Sequence, residues 1–163
     1  MNRLMQALLG LSLLALLAFA HAQSPVELRS EVFIVSEVTT ESGSKEERYS
    51  QADSAIPGQI VEYRIFAKNR GDTTLPEGRV RIATGIDEFF AYVEGTASPD
   101  DGSFLIEFSA DGETYSEAPL IVGEGDDRSI ISPANYTHVR WTYLKALEPG
   151  EEVTVRYRVK VLD

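Results

Sequence analysis

Ile56-Pro57-Gly58-Gln59-Ile60-Val61-Glu62-Tyr63-Arg64-Ile65-Phe66-Ala67-Lys68-Asn69-Arg70-Gly71-Asp72 is the stretch on which the fold turns. Between Gln59 and Asn69, Val61, Tyr63, Ile65 and Ala67 fall on one face, and Glu62, Arg64, Phe66 and Lys68 on the other. That period of two belongs to a half-buried antiparallel strand. Pro57 presets φ for the second position of a tight turn, and Gly58 permits a positive φ at the third, so the chain turns into the strand here. Asn69-Arg70-Gly71-Asp72 turns it out again.

The same pattern recurs on both sides. Towards the C-terminus, Glu152 to Leu162 sets Val153, Val155, Tyr157, Val159 and Val161 against Thr154, Arg156, Arg158 and Lys160. Before it, His138 to Leu144 puts Val139, Trp141 and Tyr143 on one face, and Glu148-Pro149-Gly150-Glu151 turns between the two segments. Trp141 is the expected centre of the core. Shorter strands are expected over Arg79–Ala83, Phe89–Val93 and Phe104–Phe108, separated by Leu75-Pro76-Glu77-Gly78, Pro99-Asp100-Asp101-Gly102 and Asp111-Gly112. Towards the N-terminus, Val26 to Val38 is a long extended stretch, followed by a polar cluster from Thr39 to Glu47 in which Glu41-Ser42-Gly43-Ser44-Lys45 is a turn or loop. No long segment has the i, i+3, i+4 spacing of an amphipathic helix. The reading is all-β: an immunoglobulin-like antiparallel β-sandwich of about seven to nine strands.

The chain opens with Asn2-Arg3, an apolar run from Leu8 to Ala20, and Ala20-His21-Ala22. A charged start, an apolar middle and a small-x-small end make a cleavable secretory leader. The run is shorter than the roughly 20 residues that span a bilayer. The expected organisation is a signal peptide over residues 1–22 and one domain over residues 23–163. The expected place is periplasmic, cell-surface or fully secreted, and a lipid-anchor cysteine is absent because the chain has no cysteine.

Composition narrows the function. The formal charge of −11 grows by one when the leader and its Arg3 are removed. Such a surface repels nucleic acid and anionic membrane, whose binding depends on Lys and Arg displacing counterions. With no cysteine there is no thiol nucleophile, zinc-thiolate site or iron–sulfur cluster. His138 is the one histidine beyond the leader, so a histidine metal centre or a Ser/His/Asp triad would have to be built on it alone.

Taken in order, several of these segments resemble the family known as domain of unknown function 11, an extracellular conserved repeat of immunoglobulin-like fold. They are Ala55 to Ile65, Lys68-Asn69-Arg70-Gly71, Tyr92-Val93-Glu94-Gly95-Thr96-Ala97, Phe108-Ser109-Ala110-Asp111-Gly112, and His138-Val139-Arg140-Trp141 leading to Leu147-Glu148-Pro149-Gly150-Glu151. The resemblance runs from about Glu27 to Val161 and implies a spacer, adhesive or envelope-associated module without catalytic residues. A single copy here departs from the tandem arrangement of such modules.

Individual residues suggest little chemistry. Asp100, Asp101, Glu124, Asp126 and Asp127 could offer oxygen ligands to Ca²⁺, but their spacing matches no EF-hand and turn acids explain them. Nothing in the sequence places two of its acids across one cleft, as glycoside hydrolysis requires. Asn135-Tyr136-Thr137 fits the N-glycosylation pattern within a loop. Tyr115, Tyr136 and Trp141 are the aromatics available for stacking on a sugar, and Phe33, Phe66 and Phe89-Phe90 for an apolar contact surface. The expectation is an exported, non-enzymatic module that works through protein contacts or self-association, with Val26 to Val38 as an edge for strand pairing. The alternative is a soluble sandwich that binds calcium or a carbohydrate.

Overall fold

The computed structural model describes residues 24–163 except Asp53, Glu124 and the side chain of Asp126. The leader read over residues 1–22 lies outside them. Ten strands follow in order: β1 (Val26–Thr39), β2 (Lys45–Gln51), β3 (Ile60–Asn69), β4 (Arg81–Gly85), β5 (Phe90–Tyr92), β6 (Phe104–Ser109), β7 (Ile121–Val122), β8 (Ser129–Ile130), β9 (His138–Tyr143) and β10 (Glu152–Val161). All pairings between them are antiparallel. One sheet has the order β2-β1-β3-β10-β5, a second β4-β9-β6, and β7 and β8 form a small ladder of their own. Among the described residues there is no α-helix, only single 3₁₀ turns at Gly125–Asp127 and Pro133–Asn135. No helix among them is long and apolar enough to cross a membrane.

Alternation decides which faces meet. On β3, Val61 and Ala67 are buried on the face expected, and across the ladder Val61 lies opposite both Ile34 of β1 and Val159 of β10. On the smaller sheet, register places Ile82, Trp141 and Ile106 in one row across three strands. Trp141 is wholly buried, and its ring centroid lies 5.9 Å from that of Tyr157 on the larger sheet. The apolar faces of the two sheets thus form one core, which is the arrangement of a β-sandwich. Three strands cannot cover five. Leu28, on the same face of β1 as Val32 and Ile34, stays 57% exposed.

Two turns legible in the sequence are stitched together by one side chain. Asn69 is fully buried; its Nδ2 donates to the carbonyls of Thr73 (2.9 Å) and Leu147 (3.0 Å), and its Oδ1 accepts from the Gly71 amide (3.0 Å). Its backbone exchanges hydrogen bonds with Glu151 and Gly150. Gly150, at φ +81°, occupies the third position of the Glu148-Pro149-Gly150-Glu151 turn, which the Glu151 amide closes on the Glu148 carbonyl at 3.0 Å. Only glycine enters that region without strain.

The structure departs from expectation in three places. The strand expected from Arg79 begins at Arg81 and runs on to Gly85. Beyond the strands expected, β2, β7 and β8 bring the count among the described residues to ten; every residue of β2 is exposed, so it carries no alternation to read. And β1 is not a free edge along its whole length, because β2 folds back from the Glu41–Lys45 turn and pairs with Phe33 to Thr39.

Candidate functional site

An open length of strand remains at the N-terminal end of β1. On one side β1 pairs with β3 from Val26 to Val35. On the other, β2 covers only Phe33 to Thr39, and the Val32 carbonyl still accepts from the Ala52 amide at 3.3 Å. In an antiparallel strand the N–H and C=O of one residue point to the same side, and successive residues alternate. Since the Val32 carbonyl points to the β2 side, so do the backbone groups of Ser30 and Leu28, where no strand among the described residues lies against them. This is a short template for another strand. It is bordered by Leu28.

The outward face of the larger sheet is closed by arginine. Glu62 belongs to the polar face of β3, yet its side chain is only 1% exposed. Arg64 Nε donates to one of its oxygens at 2.7 Å and Arg158 Nε to the other at 2.8 Å. The remaining nitrogens of Arg158 reach across β3 and β1 to β2, donating to both oxygens of Glu47 at 2.6 and 2.7 Å and to the Tyr49 hydroxyl at 2.8 Å. This clasp holds the Glu47 carboxyl down at about 2, chiefly through the Arg158 hydrogen bonds and then through the Tyr49 hydroxyl. Arg158 is pushed above its ordinary value, first by Glu47, with burial opposing and Glu62 adding to the rise. The aromatics on this face are capped by cations: Arg64 lies 4.5 Å from the Phe33 ring centre and 4.8 Å from that of Tyr49, and Arg29 lies 3.8 Å from that of Phe66. Each such contact contributes roughly 0.5–1 kcal/mol at an exposed position. Phe33 and Phe66 are therefore covered by guanidinium groups rather than open. Phe90 packs against the core, while Phe89 is 65% exposed.

The residues nominated for ligand binding separate into several places. Asp101 accepts from the hydroxyl of Ser103 and from its amide at 2.9 Å, which lowers its carboxyl below the ordinary range, the hydroxyl contributing most. Asp100 instead borders a cavity of about 400 Å³ that is also lined by Glu94, Glu117, Phe104 and Tyr136. Asp127 lies in the 3₁₀ turn Gly125–Asp127, apart from that cavity. Glu124 and the side chain of Asp126 lie outside the described residues. Among the described residues no three His, Asp or Glu side chains converge closely enough to hold a metal ion.

The sugar-stacking aromatics are engaged as well. Trp141 is in the core, Tyr136 is 3% exposed with its hydroxyl accepting from the Leu120 amide at 3.3 Å, and the Tyr115 ring is covered by Arg140 at 4.0 Å. His138 opens β9, where its Nδ1 shares a hydrogen bond with the Thr137 hydroxyl at 2.9 Å. Asn135, the sequon residue, is exposed at the end of its 3₁₀ turn. What the sequence could not signal is the clasp around Glu62, because it depends on the register of four strands.

Comparison with protein-family models, with curated proteins and with solved structures returns no match for this chain.

Proposed function

We propose that this chain is an exported, non-enzymatic module of the cell envelope or extracellular space, an immunoglobulin-like sandwich that acts through protein–protein contacts by adding a partner's strand to β1. The observation that carries the reading is the open edge at Leu28 and Ser30, beside a β1 flank that the smaller sheet leaves uncovered. Backbone groups there give affinity to any extended partner, and the exposed Leu28 side chain gives it apolar area. The charged strand β2 acts as a guard over the rest of the edge, since Lys and Glu on an edge strand discourage indiscriminate pairing. The resemblance to domain of unknown function 11 agrees with such a role, and the leader read over Met1 to Ala22 supplies the route of export.

Ser30→Pro is the test. Its N–H faces the open side, so proline removes a partner's hydrogen bond without breaking the β1–β3 ladder. Light scattering coupled to size-exclusion chromatography, and pull-down from the envelope fraction with mass identification, should show an assembly or a partner that Ser30→Pro loses while keeping its β-sheet circular dichroism. Unchanged association in that variant would sink the proposal, as would a wild-type protein that stays monomeric and captures nothing.

The second reading, a soluble domain that binds calcium or a carbohydrate, is favoured by one observation: Asp100 and Tyr136, nominated separately, line the same cavity of about 400 Å³. Calorimetric titration with calcium and with cell-wall glycans should give no heat if the strand-pairing reading is the whole account.

A further inference from the structure

One guanidinium on the outward face of the larger sheet stands apart from the ion-pair network. Arg156 on β10 lies directly across from Arg64 on β3, and like charges placed opposite one another on neighbouring strands repel. Arg64 turns away, to Glu62 and to the rings of Phe33 and Tyr49. Arg29 and Arg158 each meet a carboxylate too. Arg156 makes no salt bridge among the described residues, although it is exposed, and feels the carboxylates of Glu47 and Glu62 only at longer range.

Its orientation is nonetheless held. Arg156 Nε donates to the Ser98 hydroxyl at 2.7 Å, and the backbones of Ser98 and Arg156 exchange hydrogen bonds of 2.9 and 3.0 Å. Beside it lies a groove of about 370 Å³ lined by Arg64, Phe66, Ser98, Pro99, Thr154 and Arg156. The lining has no carboxylate. It offers the two terminal NH₂ groups of Arg156, the Thr154 hydroxyl and the hydrogen of the Ser98 hydroxyl, all of them able to donate. Phe66 and Pro99 give it apolar walls. A metal ion or an amine finds no anionic partner here, whereas a planar group with two anionic oxygens matches the arginine fork.

We propose that this groove binds a carboxylate, presented by an acidic side chain on a partner protein. In a chain of net charge −11, attraction for a carboxylate is confined to places where a cation goes unneutralised, and Arg156 provides such a place. The site is on the outward face over β3 and β10, whereas the open groups of β1 are backbone groups on its far edge, so it stands whether or not a strand pairs there.

Titrating acetyl-Gly-Glu-Gly-amide into isotope-labelled protein, followed by NMR, tests this directly. Shifts should concentrate on the Arg156 Nε–H and on the amides of Thr154, Ser98 and Phe66. The glutamine analogue of the peptide should leave them in place. Arg156→Gln should reduce the response about tenfold, Arg156→Lys should reduce it less, since charge remains without the fork, and Arg81→Gln on the other sheet should not change it. Matching amide spectra away from the groove establish that each variant is folded. Equal shifts from both peptides, an undiminished response in Arg156→Gln, or larger shifts of the same signals with inorganic phosphate at equal concentration would each overturn the assignment.

Discussion

Replacing Arg158 with alanine separates two kinds of ion pair that a single guanidinium makes at once. On one side is Glu62, whose side chain is 1% exposed; on the other is Glu47, 47% exposed. Breaking a buried pair by removing one partner costs about 3–5 kcal/mol, because the surviving charge is left in a poor solvent. Here Arg64 remains on the other oxygen of Glu62, which reduces that cost to about 2–3 kcal/mol. The Glu47 side is wet, and its loss adds at most about 1 kcal/mol. The expected penalty is therefore about 3 kcal/mol, equivalent to about 10 °C in Tm for a domain of this size. Urea denaturation and calorimetry on Arg158→Ala and Glu47→Gln measure it, the second variant being expected to cost less than about 1 kcal/mol. Equal penalties for the two variants, or an Arg158→Ala penalty below about 1 kcal/mol, would refute the idea that Glu62 depends on Arg158.

Two further outcomes follow from the same structure. Because the Glu47 carboxyl is lowered from 4.5 to about 2 in the folded protein, its contribution is complete above its ordinary value and disappears as pH falls towards 2; the protection of the β2 amides relative to their intrinsic exchange rate should fall through that window in the wild type and show no such change in Glu47→Gln. Asn69→Ala strips hydrogen bonds from the buried Leu147 carbonyl and from the Gly71 amide and Thr73 carbonyl nearer the surface and should cost about 1–3 kcal/mol in urea, with Asn69→Asp worse, since a carboxylate would face two carbonyls; a cost under about 0.5 kcal/mol would mean that water takes over those groups.

How far the fold could be read depended on whether burial left a trace in the residue pattern. β3, β9 and β10 alternate because one face of each packs on the core, and the Pro-Gly turns are legible because backbone geometry demands those residues. β2 leaves no such trace: Lys45 to Gln51 is wholly exposed, and it is held by the ladder with β1, by Lys45–Glu37 and by the Arg158 clasp, all of them non-local. Glu62 misleads for a related reason. Alternation puts it on the polar face, but that face is dry at Glu62, because arginines from β3 and β10 close over it. Arg156 belongs to the outward face by alternation alone, whereas its position opposite Arg64, with no acid bound to it among the described residues, depends on the register. The acidic turns are conspicuous in the sequence because acids cluster in them; in the fold Asp101 is engaged by Ser103, and Asp100 borders a cavity.

The position of β10 between β3 and β5 has a consequence for the order of events in folding. A chain made from its N-terminus can form the β1–β2 hairpin early, from neighbours in sequence. The second edge of β3, however, stays bare until residues nearly a hundred positions later arrive, because Val61 pairs with Val159. Contacts so distant are slow to close. On the proposal that the chain is exported, such a delay would keep the polypeptide threadable during transit, the larger sheet closing only once β10 has followed.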